Sequence, residues 1–145
     1  EEVRGTGAAI RLIGDGDVAG VIHTTEPDET GIDIYLGIGG APEGVLAAAA
    51  LRCIGGQMQG RLQLNTEEKV ARAAKMGISD PNKIYRMDEM AKGDVLFAAT
   101  GVTDGNLLSG VKFGREQIST HTIVMRSSSQ TVREIIARHQ DLDKF

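Results

Sequence analysis

The segment Gly37-Ile-Gly-Gly-Ala-Pro-Glu-Gly44 sets glycines and one proline between an apolar stretch and an alanine-rich run. Glycine lets the backbone approach a ligand closely, and proline suits the first turn of a helix. A helix N-terminus turns N–H groups and partial positive charge toward an anion. Phosphate is the natural guest for such a junction. Glu43 falls in the same first turn, where a carboxylate is favoured by the helix dipole and is also a hard oxygen donor for a divalent cation. A tight turn that binds nothing would use the same residue types, so the segment alone leaves both readings open.

Asp15 and Asp17, flanked by Gly14 and Gly16, form a second constellation. Carboxylates on such a bend can accept hydrogen bonds from sugar hydroxyls or contribute to a metal site. The plainer alternative is helix capping by one aspartate, with Gly16 making the turn. Both this turn and the glycine loop follow strand-like segments, and open α/β sheets collect ligands beyond the carboxyl ends of their strands. One shared pocket is therefore expected.

Two familiar phosphate cradles fail here. Aligning Gly37 and Gly39 with the dinucleotide fingerprint puts Pro42 where a third glycine should allow close helix packing. Aligning Gly39 to Gly44 with a P-loop leads into Val45-Leu46, with neither the phosphate-binding lysine nor the magnesium-binding hydroxyl.

The elements that must carry these residues follow from pattern. Ala8–Ile13 reads as a strand, with the acidic turn leading into a short helix through about His23. Thr24–Gly31 reads as a solvated loop, Ile32–Leu36 as a second strand and Pro42–Ile54 as a helix stopped by Gly55-Gly56. Met58–Leu64 reads as a third strand, and Thr66 caps a helix ending near Gly77. Lys83–Arg86 is extended, Asp88 opens a helical turn and Asp94–Thr100 is a buried strand. Gly110–Arg115 and Ser119–Arg126 suggest an antiparallel pair, and Thr131 to about His139 reads as a final amphipathic helix. The fold class is α/β, with a mixed sheet flanked by helices.

Composition bounds the rest. The 145 residues are 41% hydrophobic and 25% charged, which fits one globular unit. No linker, charge block or repeat divides it. The net charge of −4 and 3% aromatic content give neither a basic stripe nor a base-stacking platform, so nucleic acid is not an expected partner. The polar start lacks the apolar run of a signal peptide or membrane span, so no membrane partner is expected and the start reads as a cut. A single cysteine, Cys53, fits a reducing cytoplasm and, within an apolar helix pattern, a packing role. His23, His121 and His139 are not at metal-ligand spacings. Ser127–Ser129 reads as a loop capping the last helix, and Lys69, Arg72 and Lys75 as a solvated helix face.

Three segments together carry a family resemblance. Leu12-Ile-Gly-Asp-Gly-Asp-Val18, Gly37-Ile-Gly-Gly-Ala-Pro-Glu-Gly44 and Phe97-Ala-Ala-Thr-Gly-Val-Thr103 resemble class II fructose-1,6-bisphosphatases, of the lithium-sensitive sugar phosphatase superfamily. The resemblance spans essentially the whole chain, residues 1–145, and is to the C-terminal half of such an enzyme. It implies a layered α/β sandwich and metal-dependent hydrolysis of the 1-phosphate of fructose 1,6-bisphosphate in gluconeogenesis, with sedoheptulose 1,7-bisphosphate as a related substrate. Mg²⁺ or Mn²⁺ is the implied cofactor and a homo-oligomer the implied assembly.

Carried over by position, Asp15, Gly16, Asp17 and Gly40 would contact substrate and Glu43 would bind metal. The family's other metal carboxylates, and the threonine that positions its nucleophilic water, have no counterpart here. No catalytic residue is therefore assigned to this chain, and the missing N-terminal half is the implied partner. A rival reading is a non-catalytic sugar-phosphate or nucleotide-binding module; a third is a structural oligomerisation domain.

Overall fold

The computed structural model describes residues 1–141. Its elements run α1 (Glu2–Gly5), α2 (Asp17–Ile22), a 3₁₀ turn (His23–Thr25), α3 (Pro27–Thr30), α4 (Ala41–Ile54), β1 (Gln59–Arg61), α5 (Glu67–Lys75), β2 (Ile84–Arg86), α6 (Met87–Met90), β3 (Leu96–Thr100), β4 (Lys112–Phe113), β5 (Ile118–Arg126) and β6 (Thr131–His139). The fold is α/β and layered, as expected, and the pairings among the described strands are antiparallel. β1 pairs β2, while β5 pairs β3 and β4 on one side and β6 on the other.

Helix α4 is the centre of the packing. Pro42 opens it where an N–H would have no partner, Glu43 suits its dipole, and Gly55 ends it at φ 82°, a left-handed region that favours glycine. Its small side chains let neighbours approach from two sides. Ala50 and Cys53 join Ile22, Phe97, Leu108, Ile123 and Met125 in one buried cluster, whereas Ala47 and Leu51 join Val21 in a second. Phe97 pairs with Met125 and Ala99 with Ile123, so these four lie on one face of the sheet, the face that contributes to the first cluster. At α5, Thr66 accepts the Lys69 amide proton as its N-cap, the cap expected from sequence.

Several expectations are corrected. Residues 131–139 form strand β6, not a helix, because β5 offers a nine-residue edge and Val132, Ile135 and Ile136 suit a pleated surface. Ser127–Gln130 is consequently a hairpin turn, with Gln130 at φ 46°, and no helix follows for it to cap. Residues 8–13 and 32–36 lie outside every helix and sheet, since a strand needs a neighbour to satisfy its backbone groups and none pairs with them among the described residues. The strand expected over 58–64 is cut to Gln59–Arg61, and the loop expected over 24–31 holds two short helical turns. No helix among the described residues is long and apolar enough to cross a membrane.

Candidate functional site

The acidic turn and the glycine loop meet. Gly16 stands at φ 77°, ψ 37° as N-cap of α2, a conformation that glycine adopts without steric cost, and it delivers Asp17 as the first helical residue. A methyl group placed on Gly39 would lie 2.5 Å from Asp17 Oδ2, so the carboxylate sits directly against the loop. One residue on, a methyl on Gly40 would collide with Glu43 Oε2. Asp17, Gly39, Gly40 and Glu43 thus form one continuous surface at the start of α4. Asp15 is exposed on the turn that leads into α2.

The N-terminus of α4 has no side-chain cap. Its N-cap, Gly40, has no side chain to offer, so the amides of the first turn keep their capacity to donate to an anion. The site therefore combines backbone donors with two carboxylates of different placement, Asp17 against Gly39 and Glu43 against Gly40. Such a set can hold a phosphate through the amides and a hydroxyl-bearing body through Asp17.

Sequence reading gave Tyr35 no role beyond a strand position. In the structure its Oη donates a 2.7 Å hydrogen bond to Asp17 Oδ1. That bond is the largest cause that pushes the Tyr35 phenol up to about 12, with burial and the Asp17 charge adding to it. A phenol two residues before the first loop glycine was the available signal.

Glu43 has the hard oxygen that Mg²⁺ or Mn²⁺ takes, but no group of three or more His, Cys, Asp or Glu side chains among the described residues is placed to hold an ion. The described residues of this chain do not make a complete metal centre. Cys53 is buried, with its Sγ 3.7 Å from the Val95 carbonyl oxygen, and burial pushes its thiol up, in keeping with the packing role.

The Gly101–Gly110 loop braces the neighbourhood. Asp104 Oδ1 accepts the Gly110 amide proton at 2.9 Å and Lys112 Nζ bonds the same carboxylate, which holds Asp104 below the usual carboxylate range, the lysine contributing most. Leu108 at the loop's far end belongs to the same buried cluster as Ile22 of α2, with Val18 and Leu107 packed against it.

Comparison with known proteins agrees with these motifs. A family model described as bacterial fructose-1,6-bisphosphatase, glpX-encoded, matches residues 1–139. A D-fructose 1,6-bisphosphatase class 2/sedoheptulose 1,7-bisphosphatase of Synechococcus sp. (strain JA-3-3Ab) is 43% identical over 95% of this chain and 43% of its own length. A protein of the same name from Crocosphaera subtropica is 41% identical over 100% of this chain and 46% of its own length. The chain thus spans less than half the length of these relatives. With the match covering both the acidic turn and the glycine loop, the chain belongs to the family of bacterial, glpX-encoded fructose-1,6-bisphosphatases.

Proposed function

We propose that this chain is the sugar-contacting part of a class II fructose-1,6-bisphosphatase, which hydrolyses the 1-phosphate of fructose 1,6-bisphosphate and accepts sedoheptulose 1,7-bisphosphate. The observation that carries this reading is the contact between the Asp17 carboxylate and Gly39. It sets a hydroxyl acceptor beside an uncapped helix N-terminus, the pairing that a phosphorylated sugar requires. Asp15 and Asp17 accept hydrogen bonds from the sugar hydroxyls. Gly16 holds the turn, and Gly40 brings its backbone close to the substrate. The amides of the first turn of α4 hold phosphate oxygens.

Glu43 supplies one ligand to a Mg²⁺ or Mn²⁺ centre whose other ligands lie outside this chain. The partner is the remainder of the enzyme. Its support is the exposed apolar surface beside the site: Leu12, Ile34, Leu36 and Ile38 are each at least 67% exposed, and Val45 and Leu46 of α4 stand open as well. Single exposed apolar residues are ordinary, but six of them on the segments that carry the acidic turn, the glycine loop and the start of α4 favour a surface made to be covered. The enzyme's place is gluconeogenesis in the cytoplasm.

The test is an assay for phosphate release from fructose 1,6-bisphosphate by the complete enzyme, in which this chain is joined to the N-terminal half characteristic of its relatives. Metal-dependent release is expected. An inactive complete enzyme that still binds sugar phosphates would make the chain a binding module instead.

A further inference from the structure

We propose that Tyr35 is a positioning residue for Asp17, holding one carboxylate oxygen so that the other faces the glycine loop. The proposal deepens, and rests on, the sugar-contacting role given to Asp17 above. A carboxylate turns easily about its terminal torsion, so an aspartate meant to accept from one hydroxyl needs one oxygen fixed. Tyr35 Oη fixes Oδ1 at 2.7 Å, and Oδ2 is the oxygen lying against Gly39.

The phenol is itself held on several sides. A methyl on Gly20 would lie 2.9 Å from Tyr35 Cε2, and one on Gly37 would lie 2.5 Å from Oη. The ring thus occupies space that two glycines leave open, one on α2 and one in the glycine loop. It also packs against the cluster of Val21, Ala47 and Leu51. Tyr35 thereby links the acidic turn, the loop and α4, and the position of its hydroxyl is set by the backbone on either side. With its ionisation pushed up to about 12, the phenol keeps its proton, and so its donor, across the neutral range.

The experiment compares Tyr35→Phe, Asp17→Asn and the double variant in the complete enzyme, with fructose 1,6-bisphosphate and with p-nitrophenyl phosphate, an ester without sugar hydroxyls. Tyr35→Phe keeps the ring between its two glycines and removes only the donor. On the order of a tenfold rise in KM for the bisphosphate is expected, with kcat affected less and the loss smaller on the simple ester. In the Asp17→Asn background the same change should add little, because both act on one hydrogen bond. Additive losses, or equal losses on both substrates, would overturn the proposal.

A second measurement needs no Tyr35 variant. Tyrosinate absorbance in an alkaline titration should show one phenol ionising near 12 that moves back toward 10.0 in Asp17→Asn. An unmoved titration would also overturn it. If Asp17→Asn itself leaves bisphosphate kinetics untouched, the sugar-contact reading fails, and the positioning role falls with it. An effect of Asp17→Asn without one of Tyr35→Phe removes the positioning role alone.

Discussion

Glu43 folds back over its own N-cap, so that its Oε2 occupies the space a Cβ on Gly40 would take. Gly40 itself stands at φ −67°, ψ 149°, backbone that any L residue adopts, so the need for glycine there lies in the Glu43 side chain and in ligand access. Gly40→Ala is therefore expected to swing the Glu43 carboxylate away while changing stability by no more than ~0.5 kcal/mol. In the complete enzyme the Mn²⁺ or Mg²⁺ concentration for half-activation should rise. A normal metal titration in a well-folded Gly40→Ala enzyme would mean that Glu43 does not use this pose.

Glu43→Gln separates charge from shape. It keeps the volume and a polar oxygen but removes the negative charge, so metal activation should weaken strongly. The fold should lose only ~0.3–1 kcal/mol through the α4 dipole. Chemical denaturation beside metal titration reads the two effects independently. Unaltered metal dependence would leave Glu43 as a helix-start residue only.

Asp17→Asn tests the division of labour within the site. A carboxylate repels a phosphate dianion unless a cation intervenes but readily accepts hydrogen bonds from hydroxyls, so Asp17 is expected to read the sugar. Loss of a hydrogen bond to a charged acceptor is worth ~1.5–3 kcal/mol, or roughly ten- to a hundredfold in kcat/KM for fructose 1,6-bisphosphate. The loss on an ester without sugar hydroxyls should be smaller. Equal losses on both, together with weakened Mn²⁺ activation, would place Asp17 among the metal ligands.

The chain's motifs were legible because their geometry is local. Gly16 in a left-handed turn, Pro42 and Glu43 opening α4, and Thr66 capping α5 are each decided within a few residues. What sequence missed is decided at a distance. Val132, Ile135 and Ile136 fit a helical stripe as well as a strand, and the neighbouring edge of β5 settles the matter. The apolar segments 8–13 and 32–36 carry strand-like composition, yet composition cannot supply the neighbour that a ladder requires. Tyr35 was equally invisible, since its partner is eighteen positions away, across the α2 turn.

Gly110 offers a test of the brace on α2. A Cβ there would lie 2.6 Å from the Thr103 carbonyl carbon and 2.7 Å from the Asp104 amide nitrogen, and backbone cannot step aside as a flexible side chain can. Gly110→Ala should therefore destabilise by ~1–3 kcal/mol, the range for overpacking a tight site. A denaturation midpoint matching the parent protein would show that the Gly101–Gly110 loop yields freely and does not brace α2.

The chain by itself should bind Mn²⁺ weakly and release no phosphate from fructose 1,6-bisphosphate. The reason is the donor set: Glu43 is one hard oxygen ligand, and no group of three or more such side chains is placed to share an ion with it among the described residues. A cation of this class needs several oxygens to replace its water. Calorimetric titration of the purified chain with Mn²⁺ and a phosphate-release assay measure the two properties separately. Joining the N-terminal half should raise both, because it is expected to supply the remaining ligands and to cover the open side chains of Leu12, Ile34, Leu36 and Ile38. Tight Mn²⁺ binding with robust hydrolysis by the chain alone would show that its own residues complete the centre, and would remove the need for the partner half in catalysis.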